Sequence, residues 1–207
     1  MAYTKTYSKH HPGKYGLLID WETTGADFGT DSSIRYQGIA FGAIIFDTTT
    51  FQEVESIYRE LQFDDTKYEW TEGAQKIHGL TREHLAANGV TREQACVDLF
   101  TLILKYIGAG SKVLLAGHNC GFDADFTTQL ARDHGIELVL HHVMLDSSSL
   151  AFALITEYKS DVVFELLGGI DKRGLHNALE DARASLAVFR NARQIFEKGL
   201  FAGTAQS

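Results

Sequence analysis

The sequence predicts an α/β domain built on a mixed sheet with helices on both faces. Three observations point there. Apolar runs early in the chain read as three neighbouring strands, and the later chain alternates helical and strand patterns. A length of 207 residues with 44% apolar content is enough to bury one substantial core.

The first strands are expected over Tyr15–Glu22, Ile39–Asp47 and Val54–Phe63. Their alternation and spacing suggest an antiparallel meander, although Gly25–Gln37 is polar and too long for a tight hairpin. A short helix is expected over Glu69–Ile77. A stronger helical pattern covers Thr91–Ile107, where Ala95, Leu99, Leu102, Ile103 and Tyr106 recur at helical spacing. Thr91 and Gln94 there occupy capping-box positions. Lys112–Ala116 suits a buried parallel strand and is followed by a helix to about His134. A strand near Leu138–Leu145, a helix near Ser147–Tyr158 and a long helix from Leu175 to Lys198 complete the pattern. Residues 1–14 are expected to form a flexible polar segment, 15–200 the folded domain and 201–207 a tail.

The formal charge of −8 argues against a protein that coats nucleic acid through a broad basic surface. It leaves room for an enzyme whose acids hold metal ions. No apolar run is long enough for a membrane span, and the N-terminus lacks the apolar stretch of a secretory signal. Cys96 and Cys120 sit in unrelated contexts without metal-ligand spacing. They read as free thiols of a cytoplasmic protein.

Three clusters can carry chemistry. The first is GLLIDWETTG, Gly16–Gly25. Alternation along a strand turns Asp20 and Glu22 to one side and Trp21 to the other. At about 6 Å and an effective dielectric near 20, two such charges repel by about 3 kcal/mol. A strand ending in solvent also tolerates acids, but the small-residue turn Thr23-Thr24-Gly25 offers room for an anionic ligand beside them. The second cluster is His118-Asn119-Cys120-Gly121-Phe122-Asp123, at the carboxyl end of a predicted parallel strand, where α/β sites form. A plain strand-to-helix turn capped by Asn119 or Asp123 fits the same residues. The third is His176-Asn177-Ala178-Leu179-Glu180-Asp181-Ala182. Here Ala178, Asp181 and Ser185 share one helical stripe, and His176 lies at the helix start. A fourth feature, Ile77-His78-Gly79-Leu80-Thr81, places His78 either as a cap or along a groove.

Taken in order, these motifs resemble the DEDDh exonucleases, the 3′-to-5′ nuclease superfamily that includes ribonuclease T and the proofreading subunit of bacterial DNA polymerase III. DWETTG is similar to the family's first motif, HNCGFD to its second and HNALEDA to its third. IHGLT and the Asp of Met144-Leu145-Asp146 match further family segments. The similarity spans about Gly16 to Phe196. It implies a ribonuclease H-like fold with a mixed five-stranded sheet flanked by helices. It also implies that Asp20, Glu22, Asp123 and Asp181 bind metal and that His176 is the general base. Trp21 is bulkier than the usual middle residue of the first motif.

Phosphodiester hydrolysis needs an activated water and stabilised charge on the phosphorus and leaving oxygens. Two divalent ions about 3.5–4 Å apart meet those needs, and carboxylate oxygen suits Mg²⁺ or Mn²⁺. A histidine with a pKa near 6.5 suits proton removal around neutral pH. The expected activity is 3′-to-5′ hydrolysis at single-stranded ends, DNA somewhat favoured over RNA, releasing nucleoside 5′-monophosphates. Thr23 and Thr24 are expected to hold the 3′ hydroxyl. Phe122 and His78 are expected to line the last bases, with Asn119 beside them. Trimming of RNA or very short oligonucleotides is an alternative. So is a catalytically silent nucleic-acid-binding module, which the full set of acids disfavours. A homodimer or a polymerase partner is compatible with the sequence, a membrane partner is not.

Overall fold

The structure, a computed structural model, describes residues 13–27, 31–170 and 177–202. The predicted base His176 and most of the expected terminal segments, 1–12 and 203–207, lie outside the described residues.

Strands β1 (Tyr15–Thr23), β2 (Gly38–Asp47) and β3 (Glu53–Glu60) form the expected meander. Helices α1 (Glu72–His78), α2 (Arg82–Asn88) and α3 (Arg92–Tyr106) lead to strand β4 (Leu115–Gly117) and helix α4 (Cys120–Asp133). Strand β5 (Leu145–Asp146) then runs into α5 (Ser147–Ile155), α6 (Ser160–Leu166) and the long α7 (Ala178–Ala202). The five-stranded sheet has the order β3-β2-β1-β4-β5. Its β1–β2 and β2–β3 pairs are antiparallel, and β1–β4 and β4–β5 are parallel. This is the predicted ribonuclease H-like mixed sheet.

The alternation of β1 divides the core. Leu17, Ile19 and Trp21 pack with Phe41, Ala43 and Ile45 of β2 against residues of α3 and α4, among them Leu99, Leu102, Phe126 and Leu130. Leu18 faces the other way and packs with Ile44, Phe46 and Leu114 against Ala182, Leu186 and Phe189 of α7. Helix α3 begins where expected, with the Thr91 hydroxyl accepting the Gln94 N–H at 3.1 Å. The Gln94 side chain, however, bonds Asp98 rather than closing a capping box.

Some expected elements differ. The strand expected over 138–145 shrinks to one bridge, Val113 to Leu140, and the two residues of β5. The Val143 N–H donates to His141 Nδ1 at 3.1 Å, a local bond that competes with the ladder. The helix expected to reach Tyr158 stops at Ile155, where Thr156 turns left-handed at φ 57°. Helices α2 and α6, of seven residues each, are not among the expected elements; at that length the helical period gives only a weak signal.

Helix α7 comes into close backbone contact with the sheet at Gly42. A Cβ on this residue would fall on the backbone of Ala178 and Leu179, so only glycine allows the helix start to seat there. Gly42→Ala is therefore expected to cost about 1–3 kcal/mol through overpacking and to lower the melting temperature by roughly 3–10 °C. Thermal unfolding followed by circular dichroism checks this; an unchanged melting temperature would contradict the seating of α7 on β2.

Candidate active site

Asp20 and Glu22 continue the Leu18 face of β1, towards α7. Their cross-strand partners are Gly42 and Ala40, which leave space for the two carboxylates. Asp181 comes from the first turn of α7. That turn is capped by Asn177, whose Oδ1 accepts the N–H groups of Leu179 (3.1 Å) and Glu180 (3.2 Å). Seated on Gly42, the helix brings Asp181 to the strand acids. Asp20, Glu22 and Asp181 each offer an oxygen, and these oxygens lie within 4.8 Å of one another. Glu22 and Asp181 are buried.

Asp123 reaches the same strand from the other side. Strands β1 and β4 pair only at Leu17 and Leu18, so further along β1 that edge is open. The Trp21 N–H on it donates to Asp123 Oδ1 at 2.9 Å. The Trp21 indole donates to the Thr127 hydroxyl at 3.0 Å, which in turn donates to the Asp123 carbonyl. Together these bonds fasten α4 to β1. Trp21 is buried in the core, as its alternation predicted. Burial raises the Asp123 pKa well above the usual carboxylate range, and the negative charges of Asp20, Glu22 and Asp146 push the same way against the Trp21 N–H.

Asp146 sets the start of α4. It accepts the N–H groups of Asn119 and Cys120 at 3.3 Å each, and caps α5 through the Ser148 N–H at 2.8 Å. Burial alone would raise its pKa; the hydrogen bonds from Ser148, Ser149 and Asn119 outweigh that and hold it low.

The residues expected to meet the substrate fall on two sides of the acids. Thr23 is buried, and its hydroxyl donates to the Gly25 carbonyl. Thr24 is fully buried and its polar atoms are committed within the fold. Its N–H donates to the Gln37 carbonyl and its hydroxyl to the Glu69 carbonyl, while its own carbonyl accepts from Thr71. Thr24 thus braces the turn on residues 69–71. His78 is buried at the end of α1, with Nδ1 accepting the Leu80 N–H. On the α4 side, Asn119 is exposed and left-handed at φ 60°, with no side-chain cap bond. Phe122, half-buried, packs on Phe126.

Sequence reading missed one neighbour of the acids. Tyr58 of β3 pairs with Gly42, which puts it on the acid-bearing face. Its hydroxyl donates to Glu60 at 2.9 Å. Burial, then Glu60 and Glu22, keep that hydroxyl protonated. Only the register of β2 against β3 reveals this, and no motif in the sequence encodes it.

The donor set is wholly carboxylate, converging and largely buried, which fits a hard divalent cation. A cation there would offset the mutual repulsion of the acids. Among the described residues, no helix is long and apolar enough to cross a membrane.

A family model described as "Exonuclease" matches residues 17–189. The chain belongs to this exonuclease family. It is a DEDDh-type 3′-to-5′ exonuclease, a hydrolase of phosphodiester bonds, and the family implies dependence on a divalent metal. The oligoribonuclease of Halorhodospira halophila is 27% identical over 180 residues, covering 87% of this chain and 93% of that protein. That of Shigella flexneri is 26% identical over 185 residues, covering 88% and 95%. Among solved structures, E. coli exonuclease I in complex with a dT13 oligonucleotide carrying a 5cy label superimposes with a TM-score of 0.69 at 19% identity. The match covers 87% of this chain and 41% of exonuclease I. The nuclease domain of 3′hExo, a DEDDh family member bound to rAMP, gives a TM-score of 0.63 at 16% identity and covers 90% and 93%.

The raised pKa of Asp123 has a stability consequence. A carboxyl whose folded pKa exceeds its unfolded value stabilises the fold while protonated, and that contribution is lost as pH rises through the folded pKa. In EDTA, Asp123→Asn, which keeps an oxygen for the Trp21 N–H, should therefore melt higher than wild type. The gap should widen as pH rises above about 4. A variant that melts lower than wild type in EDTA at neutral pH would contradict the unfavourable burial of this charge.

Proposed function

We propose that this exonuclease releases nucleoside 5′-monophosphates from single-stranded 3′ ends, with Asp20, Glu22, Asp123 and Asp181 holding two Mg²⁺ or Mn²⁺ ions. The observation that carries this reading is the convergence of Asp20, Glu22 and Asp181 oxygens within 4.8 Å, beside a buried Asp123. When bound, such ions supply an activated water and offset charge on the phosphorus and leaving oxygens. Asp20, paired with Gly42 where the first turn of α7 seats, is the carboxylate best suited to be shared. Asp123 is tied to the sheet through the Trp21 N–H and fixes the α4 side of the site. His176, five residues before Asp181, takes the proton from the attacking water; the family spacing of the third motif supports that role.

The braced turn Thr23-Thr24-Gly25 holds the terminal 3′ hydroxyl, with Thr24 acting by fixing the turn. His78 and Phe122 flank the last bases, and the exposed Asn119 amide reaches the strand beside Phe122. The sequence alone leaned towards DNA. The near full-length match to oligoribonucleases favours a second reading of the same site, with short oligoribonucleotides as substrates.

Purified protein incubated with matched end-labelled DNA and RNA series, from dimers to long strands, tests both. With Mg²⁺ or Mn²⁺ the strands should shorten from the 3′ end, and EDTA should stop it. Asp181→Asn should lower turnover by at least about 100-fold without altering the melting temperature by more than a few degrees. Shortening that persists in EDTA, or an Asp181→Asn variant with wild-type turnover, would overturn the assignment. Faster turnover of short RNA than of matched DNA supports the second reading, and the reverse refutes it.

A further inference from the structure

Arg82, the first residue of α2, is exposed. Its guanidinium lies 5.2 Å from the centroid of the Phe63 ring and 5.3 Å from that of Trp70. The two rings meet edge-on at 5.1 Å, and Trp70 is itself fixed by a 3.0 Å bond from its indole N–H to Gln75. Arg35, Arg59, Arg92 and Arg183 are each paired with carboxylates. Arg82 forms no ion pair among the described residues.

Through Trp70 this arginine neighbours the segment that braces the turn proposed to hold the 3′ end. Trp70 lies within the stretch Glu69–Thr71 that bonds to Thr24, two residues beyond Glu22. The faces of aromatic rings attract a guanidinium cation. Its N–H donors lie in the plane of the group, in a fork that matches phosphate oxygens. With its guanidinium beside both rings and no ion pair among the described residues, Arg82 is pre-ordered for an anion. In a chain of net charge −8, a nucleic-acid strand entering an acidic site requires fixed cations of this kind along its path.

We propose that Arg82 contacts a backbone phosphate of the bound strand, upstream of the bond that is cut. This rests on the exonuclease reading above. A dinucleotide carries only the phosphate that is cut, so it bypasses the contact, and a longer strand uses it.

The test compares wild type with Arg82→Met, which keeps an apolar stem over the rings, and Arg82→Lys, which keeps the charge. Steady-state hydrolysis of a labelled oligomer and of a dinucleotide is followed over a range of KCl concentrations at fixed Mg²⁺. For the oligomer, Arg82→Met should raise KM by about 5- to 20-fold with kcat within about two-fold of wild type. The plot of log(kcat/KM) against log[KCl] should become shallower by about 0.7, the loss of one single-strand phosphate contact. Arg82→Lys should restore most of the slope, and dinucleotide kinetics should be unchanged in both variants. An unchanged salt slope for Arg82→Met overturns the proposal, because a side chain that only covers the rings leaves that slope alone. An equal loss on the dinucleotide also overturns it. If wild type cuts neither substrate, the exonuclease reading fails and the proposal falls with it; if wild type cuts both and the variants match it, only the proposal fails.

Discussion

Helix α7 can bring Asp181 to the strand acids only because β2 has no side chain where the two meet. Gly42 lies opposite Asp20 on β1 and opposite Tyr58 on β3, and a Cβ there would collide with the backbone of Ala178 and Leu179. That one contact joins two distant parts of the chain. It sets the first turn of α7 over the sheet, closes the apolar layer of Leu18, Ile44 and Leu186 beneath it, and gathers like charges where the strand ends. The apolar layer stabilises the contact; the carboxylates oppose it. Such a site trades stability for chemistry, and the trade is local to the end of β1.

The opposite flank depends on how β1 and β4 part. Because their pairing covers only Leu17 and Leu18, the Trp21 N–H is left for Asp123 and the indole for Thr127. The bulky tryptophan in the middle of DWE thus anchors α4 with both its main chain and its side chain. Asp146 then ties the first turn of α4 to that of α5. Asp20, Glu22 and Asp123 therefore lie at or just beyond the carboxyl ends of the parallel strands β1 and β4, the position at which open α/β sheets build sites, and α7 adds Asp181.

Much of this was legible in the sequence. Alternation put Asp20 and Glu22 on one side and Trp21 in the core, and the stripe through Ala178, Asp181 and Ser185 correctly turned Asp181 inward. The meander followed from alternation and spacing, and helix α3 from the helical recurrence of Ala95, Leu99, Leu102, Ile103 and Tyr106. What escaped was set by tertiary contacts. Thr24 reads as an exposed turn residue, yet its bonds to Gln37, Glu69 and Thr71 bury it, and those partners are distant in sequence. Tyr58 joins the acid face only through sheet register. The expected strand at 138–145 was apolar enough to form, but the His141 ring takes the Val143 N–H and leaves only two residues at the sheet edge. Arg82 carries no motif at all; its significance lies in two rings that the fold brings beside it.

If these carboxylates form one cation site, calorimetric titration of metal-free protein with Mn²⁺ should register binding. Binding should weaken as pH is lowered, because the carboxylates hold the cation in their ionised form. Asp20→Asn should abolish or greatly weaken that binding. Absence of binding to wild type, or equal affinity in Asp20→Asn, would contradict the shared cation site.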